Sequence, residues 1–316
     1  MKVLFGIQKF KKLGNPVIAL GVFDGLHRGH RNILEEAVAK ARRIKGRSVV
    51  ITFWPHPQKE ESLYSLEHRL GLFSRMGVDV CIVINFSKAF SGISAKDFVT
   101  DILVDKIGAR FIYVGRNFRF GRHAKGDLAL LRRLSGSYNF KVRSFHVVTA
   151  KGKPISSTDI RQLIKKGELI AAQRLLTRPV SILGSVIRGN FLGRKLGFPT
   201  ANINPHHEVI PAPGIYAVRV IYAAKIYRGV CYIGTRPTFT RRQVKYKTHI
   251  EVHLFDFKKN IYGKYLEIQF IKKIRQDKKF KSPAALSAQM HKDANFARRI
   301  LSAPLTPTTI YSPGKP

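Results

Sequence analysis

Cysteine is scarce in this chain: its 316 residues include two, Cys81 and Cys231. Both sit inside apolar runs, VDVCIVINF and RGVCYIG, and read as small buried hydrophobes. A disulfide framework is thereby excluded. Long hydrophobic runs are missing too. No stretch reaches the ~18 uncharged apolar residues of a membrane-spanning helix. The N-terminus, MKVLFGIQKFKK, lacks the apolar core and small-residue cleavage site of a signal peptide. The expected location is the cytoplasm. Acidic residues are few, 19 Asp and Glu against 57 Lys and Arg, for a formal net charge of +38. Such a field attracts polyanions: nucleic acid, anionic membrane or phosphorylated small molecules. The basic residues are nevertheless dispersed (ARRIKGR, RRLSG, TRRQVKYK), with no basic tail or block. A general basic bias of the source proteome explains them equally well, and charge alone names no partner.

What is present is a globular composition, 44% hydrophobic and 24% charged. The length favours two domains at ~100–200 residues each. In the first half, PVIALGVF, SVVITF, DVCIVINF and ARFIYVG are strand-like runs. Helical stretches lie between them, among them HRNILEEAVAKARRIKG and KDFVTDILVDKIG. Ile33, Leu34, Ala37, Val38 and Ala41 share one helical face, and Gly46 is the expected C-cap. This alternation predicts an α/β domain, a parallel sheet flanked by helices. STDIRQLIKKGELIAAQRLL (157–176) reads as two short helices joined at Gly167. Beyond Arg178-Pro179 the texture changes to alternating strand-like runs: VSILGSVIRG, GIYAVRVIYAA, KIYRGVCYIG, KTHIEVHLFDF and YLEIQFIKKIR. Gly, Pro and Asn separate them, which predicts an antiparallel barrel or sandwich, closed by the amphipathic helix SPAALSAQMHKDANFARRIL. The expected domains are 1–178 and 179–302, with a disordered Pro/Thr-rich tail over 303–316. No internal repeat is evident.

GVFDGLHRGH (21–30) follows a strand and opens a helix. Backbone N–H groups and the dipole at a helix N-terminus form an anion site, to which His27 and His30 add directional donors. Gly25 and Gly29 permit close backbone approach. A packed turn is one rival and zinc another, but no Cys or carboxylate stands at a zinc-like spacing. Neither a Walker motif nor G-x-G-x-x-G is present. ISSTDIR (155–161) offers Ser156, Ser157 and Thr158 hydroxyls and the Arg161 guanidinium fork at another helix start. An ordinary Ser/Thr N-cap is its competing explanation. GRNFRFGR interleaves Phe118 and Phe120 with basic residues, as RNA-stacking strands do, but the full RNP1 pattern and a second aromatic strand are lacking. His56, within TFWPHP, reads by itself as a turn histidine.

Taken in order, these stretches resemble one family. GVFDGLHRGH is similar to the H-x-G-H signature of the nucleotidyltransferase superfamily, in the form carried by bacterial bifunctional riboflavin kinase/FAD synthetases. TFWPHP (52–57), VGRNFRFG followed by KGD, and ISSTDIR follow in family order. In the second half, GSVIRGNFLGRKLGFPTANI (184–203) resembles the riboflavin-kinase element ending in G-R-x-L-G-F-P-T-A-N. PAPGIYAV, GVCYIGTRPTF and IEVHLFDFKKNIYGKYLEIQF follow. The resemblance spans roughly residues 14–300.

It implies a Rossmann-like nucleotidyltransferase domain followed by a riboflavin-kinase barrel. The activities implied are ATP-dependent phosphorylation of riboflavin to FMN and adenylylation of FMN to FAD. It places Gly21, Phe23, Asp24, Gly25, His27, His30, Ser156, Ser157, Thr158 and Arg161 at the ATP phosphates. His56, Asn117, Phe118 and Asp127 fall near the FMN and adenine region, with Asn117 standing where many members have Asp. Gly189, Arg194, Gly197, Phe198, Pro199, Thr200 and Asn202 are assigned to ATP and flavin. Thr200 and Asn202 would also hold Mg²⁺ with nucleotide phosphates, a donor pair suited to a cation that takes most of its countercharge from phosphate. Glu251 is implied as the general base. Tyr232 replaces a frequent Asn, and LLTRPV departs from L-L-G-R-P-Y. The implied partners are small molecules, with no specific nucleic acid and no membrane, acting on a monomer or weak homo-oligomer. Two alternatives remain: transfer of a nucleotidyl group to another phosphorylated acceptor, and nucleic-acid binding on a retired enzyme scaffold. The second predicts steeply salt-dependent DNA binding without turnover.

Overall fold

The computed structural model describes residues 1–7, 12–57, 61–189, 193, 196–240 and 243–302. Two compact units emerge among the described residues, one built from Met1–Ser62 and Leu66–Ser157, the other from Leu63–Ser65 and residues 158–302. The predicted tail, 303–316, lies outside the described residues.

The first unit is a six-stranded, wholly parallel sheet: β1 (Lys2–Phe5), β2 (Pro16–Leu20), β3 (Arg47–Trp54), β4 (Val80–Asn85), β5 (Phe111–Gly115) and β6 (Lys141–Phe145). Its order is β1-β4-β3-β2-β5-β6. The central strands are near-continuous aliphatic runs because helices cover both faces of such a sheet. All five residues of β2 are buried. The edge strands β1 and β6 escape the hydrophobic pattern because they are half-exposed and carry charge, as in KVRSF. Helix α1 (Arg28–Arg43) buries the predicted face, Ile33, Leu34, Ala37, Val38 and Ala41. Its end differs from expectation. Ile44 is the C-cap, and Lys45, not Gly46, takes the left-handed conformation (φ +53°). The Gly46 N–H then closes on Ala41 O at 2.9 Å and that of Lys45 on Arg42 O at 3.1 Å, a Schellman ending. KDFVTDILVDKIG is helical as predicted, with a wide-turned segment over Phe98–Lys106.

Strand order reverses between β2 and β5: β3 and β4 stack on one side of β2, β5 and β6 on the other. At such a reversal the loops leaving the carboxyl ends of the two strands diverge and open a crevice. The loops here are 21–27 and 116–121.

After the short hairpin of β7 (Thr149–Ala150) and β8 (Lys153–Pro154), the second unit is a closed antiparallel barrel, which decides between barrel and sandwich. Its strands are β9 (Val180–Ile187), β10 (Ala201–Asn204), β11 (Gly214–Tyr222), β12 (Lys225–Thr240), β13 (Gln243–Leu254) and β14 (Tyr265–Arg275). Around the barrel they run β10-β13-β12-β11-β14-β9. Strand β11 is buried on both faces from Gly214 to Val220, since one face lines the barrel and the other is covered. The cover is helix Pro283–Leu301, whose Ala294, Ala297 and Leu301 pack with Ala217, Phe198 and Phe255. The Ser282 hydroxyl caps it by accepting from the Ala285 N–H. Helices Ser157–Lys166 and Leu169–Leu176 flank Gly167 as predicted. Strand β10 was not predicted: four residues are too few to show a period.

Candidate active sites

In the first unit, the chain leaving β2 turns sharply. Phe23 and Gly25 both lie at positive φ, and His27 takes the N-cap position of α1 in an extended conformation. The His27 ring makes no capping bond; it stacks instead on His30, one helical turn on, with centroids 3.7 Å apart and planes 22° from parallel. Phe23 meets the His30 ring edge-on at 5.4 Å and packs against Phe73 behind it. A Cβ at Gly29 would lie 3.3 Å from His27 Cε1, a tight contact that would press the imidazole a few tenths of an ångström from its place over the first turn. His27 is buried and His30 half-buried, and the Nδ1 atom of each is buried. Two aligned imidazoles at the start of a sixteen-residue helix, beside the strand-order reversal, form an arrangement able to grip phosphate oxygens.

A hydrogen bond ties ISSTDIR to this loop: the Ser157 hydroxyl donates to the Asp24 carbonyl oxygen at 2.9 Å across 133 residues. That hydroxyl is therefore engaged in holding the two motifs together. Ser156 is half-buried and Thr158 exposed, and Arg161 is half-buried with a buried Nε. Thr158 and Arg161 belong by their contacts to the second unit. His56 lies just beyond β3, half-buried, at the same carboxyl edge of the sheet. Across the strand-order reversal, Asn117 is exposed and Phe118 stacks on Phe120, centroids 5.7 Å apart. Asp127 caps helix Leu128–Ser137 by accepting the Leu130 N–H at 2.9 Å, and Arg119 approaches its other oxygen at 3.4 Å. Its carboxylate thus has a structural task.

One residue at this site escaped the sequence. Arg69 of helix α2 (Leu66–Arg75) is 1% exposed and lies beneath the loops. Its guanidinium donates to Val22 O at 2.8 Å, Thr52 Oγ1 at 3.2 Å and Phe53 O at 3.4 Å. Thr52 Oγ1 itself donates to Val22 O at 2.8 Å. Burial lowers the Arg69 pKa, opposed by the negative field of Asp24. An arginine in SLEHRL looks like a solvated helix face, and no local signal distinguishes it. Cys81 behaves as the buried hydrophobe its context implied, its thiol pushed up to about 12 by burial.

In the second unit, the site is built by strand register. Asn202 on β10 stands opposite Glu251 on β13, and Glu251 stands opposite Tyr232 on β12. The Thr200 hydroxyl donates to Glu251 Oε2 at 2.9 Å, and His249 Nε2 lies 2.5 Å from Glu251 Oε1. Asn202 is 7% exposed, and among the described residues its Oδ1 is buried without a hydrogen bond. A Cβ at Gly189 would fall 1.9 Å from the Asn202 amide nitrogen, so this amide needs glycine opposite it. Tyr232 turns its hydroxyl to Asp277 Oδ2 at 3.1 Å. Phe198 is buried against the C-terminal helix, edge-on to His253 and His291, so the ring contributes packing. Pro199 and Gly197 are exposed, and the Pro199 carbonyl accepts from His253 Nδ1 at 2.9 Å. Arg194 lies outside the described residues. Among those described, no cluster of three or more His, Cys, Asp or Glu could hold a metal. No helix is long and apolar enough to cross a membrane.

Comparison with known proteins places names beside these sites. Residues 9–159 match the family model of FAD synthetase and residues 176–301 that of riboflavin kinase. A bifunctional riboflavin kinase/FMN adenylyltransferase of Buchnera aphidicola (subsp. Schizaphis graminum) is 35% identical over 95% of this chain and 98% of its own length. The protein of that name from Escherichia coli K12 is 35% identical over 94% of this chain and 97% of its own. A crystal structure titled as a macrolide-efflux protein from Streptococcus pneumoniae superposes with a TM-score of 0.80 at 28% identity, covering 94% of this chain and 99% of that one.

Proposed function

As a chain that belongs to the family of bifunctional riboflavin kinase/FMN adenylyltransferases, we infer that this protein divides its chemistry as its motifs are divided. It phosphorylates riboflavin with ATP, giving FMN and ADP, and adenylylates FMN with ATP, giving FAD and pyrophosphate. We assign the adenylyltransferase to 1–178 and the kinase to 179–302, in keeping with the two family matches. The observation carrying the reading is that the paired motifs converge within each unit: Ser157 meets Asp24, and Thr200 meets Glu251.

In adenylyl transfer the FMN phosphate attacks the α-phosphate of ATP and pyrophosphate departs. No protein nucleophile is needed, so catalysis is positioning and charge stabilisation. His27 and His30 donate to the phosphate oxygens, Arg161 supplies a guanidinium fork, and Ser156, Ser157 and Thr158 line the triphosphate. Arg69 holds the loop from beneath. Asn117 and Phe118 face FMN or adenine, with the Asn amide offering hydrogen bonds and no charge.

In the kinase reaction Glu251 accepts the proton of the flavin hydroxyl as that oxygen attacks the γ-phosphate. Mg²⁺ bound with ATP would neutralise charge on the phosphates. The residues present fit it: Asn202 Oδ1 is a buried oxygen without a hydrogen bond among the described residues, and Thr200 is two residues before it, just ahead of β10. Two neutral donors leave most of the countercharge to the nucleotide. Two buried free cysteines and the use of ATP fit a cytoplasmic enzyme, and nothing in this mechanism calls on a second copy, in keeping with a monomer or weak homo-oligomer.

Purified protein incubated with riboflavin, ATP and Mg²⁺, with the three flavins resolved over time, tests the reading. FMN rises first and FAD follows. FMN accumulating without FAD would overturn the role given to His27 and His30.

A further inference from the structure

We propose that His253 is a positioning residue for riboflavin phosphorylation: its imidazole holds the Pro199 carbonyl and so fixes where the Thr200 hydroxyl stands. The proposal rests on the reading that places Thr200 in the kinase site.

Thr200 is the last residue before β10, and its hydroxyl donates to Glu251 Oε2 at 2.9 Å. Whatever holds the backbone here sets the place of that hydroxyl. The ladder to β13 begins only at Ala201, which stands opposite Val252. Ahead of it, Pro199 has no N–H, so its carbonyl is the one polar group its backbone offers. That carbonyl lies 2.9 Å from His253 Nδ1. A carbonyl oxygen can only accept, so the ring carries its proton on Nδ1. Glu251 and His253 are alternate residues of β13, and their side chains leave the same face of the strand. One strand therefore supplies both the carboxylate that meets the Thr200 hydroxyl and the donor that anchors the residue before it.

The imidazole is itself held. Its ring meets Phe198 edge-on at 5.2 Å and Phe255 edge-on at 5.7 Å. Phe198 is buried, with His291 of the C-terminal helix edge-on to it at 4.7 Å. The Phe198 N–H donates to Gly193 O at 2.8 Å, closing a turn. A Cβ at Gly193 would collide with the Phe198 carbonyl oxygen, so that turn needs glycine. Phe198 is thus fixed by its ring and its N–H, and Pro199 by its carbonyl. Thr200 follows directly from both.

Pro199 is exposed, so water replaces the imidazole as donor when the ring is lost. The bond then matters little to stability and much to position, because a shift of about 1 Å in a group that orders a transfer step is costly in rate.

The test uses the full-length protein and steady-state kinetics of riboflavin phosphorylation for His253→Leu, His253→Asn, Thr200→Val and the double variant His253→Leu/Thr200→Val. Thermal melts followed by circular dichroism establish that each variant is folded at the assay temperature. Leucine keeps apolar bulk against Phe198 and Phe255 but cannot donate, and kcat is expected to fall roughly tenfold or more. Asparagine gives up the ring contacts, yet its amide N–H stands near the place of Nδ1–H and recovers most of the rate. A histidine that served packing alone would reverse this order. Adding His253→Leu to Thr200→Val costs little further, because the hydroxyl to be positioned is already gone. Parental kcat in His253→Leu, an Asn variant no faster than Leu, or additive losses overturns the proposal. Parental phosphorylation in Thr200→Val overturns the site reading itself, whereas loss there with none in His253→Leu overturns only the role of His253. Nitrogen NMR of the histidine rings is a readout independent of activity and of any variant's folding as a kinase. The His253 signal, identified by its absence from His253→Asn, is expected in the Nδ1–H form, and the Nε2–H form overturns the proposal.

Discussion

The two units put their candidate sites in opposite places. In the parallel sheet the strands end before the candidate site begins: His27, His56 and Asn117 all lie on segments beyond the carboxyl ends of β2, β3 and β5. In the barrel the key side chains stand on or beside the strands, Asn202 on β10 and Glu251 on β13, paired by register. The difference follows from strand direction. Parallel strands send all their exits to one edge, where loops and helix N-termini gather into an anion site. Antiparallel neighbours set side chains face to face, so a site can be assembled from cross-strand pairs. The first kind depends on how its loops are held. The second depends on register, and a slip of one residue in β13 would turn Glu251 to the other face.

The sharpest way to break this comparison is to silence each site alone. His27→Ala combined with His30→Ala should lower FAD synthesis by roughly 10³-fold or more while FMN formation continues. Glu251→Gln should do the reverse, lowering phosphorylation by at least ~10²-fold with adenylylation of supplied FMN intact. Both rates are read in the same preparations, and a variant that loses both activities would show that the sites are not separable.

A second test asks whether the first unit's loops depend on support from beneath. Arg69→Met removes the donor to Val22 O, Thr52 Oγ1 and Phe53 O, and should cost about 2 kcal/mol in denaturant unfolding. FAD synthesis should fall with FMN formation retained. Unchanged stability and rates would mean that the loop holds its shape without the guanidinium.

The barrel should answer to acid through His253. Burial, the largest influence, lowers its pKa below the ordinary 6.5, although its bond to Pro199 O opposes this. The unfolded chain therefore takes up a proton before the folded one does. This contribution to stability is present above pH 6.5 and is lost as pH falls through the folded pKa. Urea midpoints between pH 7.5 and 5.5 should fall in the parent and less in His253→Gln.

The smallest effect concerns Thr177, the C-cap of helix Leu169–Leu176, which holds φ +59° although β-branched. It stands in LLTRPV where the resembled family has Gly. Thr177→Gly should raise stability by about 0.5–1 kcal/mol, visible as a higher Tm with both activities unchanged.

The comparison also explains what could be read from sequence. The buried strands β2 to β5 and the inner face of α1 were legible because burial repeats over many adjacent residues. Edges β1 and β6 were not, since half-exposed strands mix charge with apolar residues. His27 and His30 were legible as a pair because helical spacing alone brings them onto one face. Asp127 and Phe198 sat in motifs that suggested ligands; what the motifs did not reveal is that one also caps a helix and the other packs against one. His249 could have been noticed: two residues before Glu251 on a strand means the same face.

By itself the sequence determined the local facts: two textures on either side of residue 178, the helical faces, the strand-turn-helix at 21–30, and motif order sufficient to indicate the family. Tertiary structure alone decided which distant groups meet. Ser157 finds Asp24 across 133 residues, Thr200 finds Glu251 across 51, and Arg69 turns inward under loops it does not adjoin in sequence. Periodicity reports only whether a side chain is buried. The partner it meets there is set by strand order and register, which come from packing the whole chain at once.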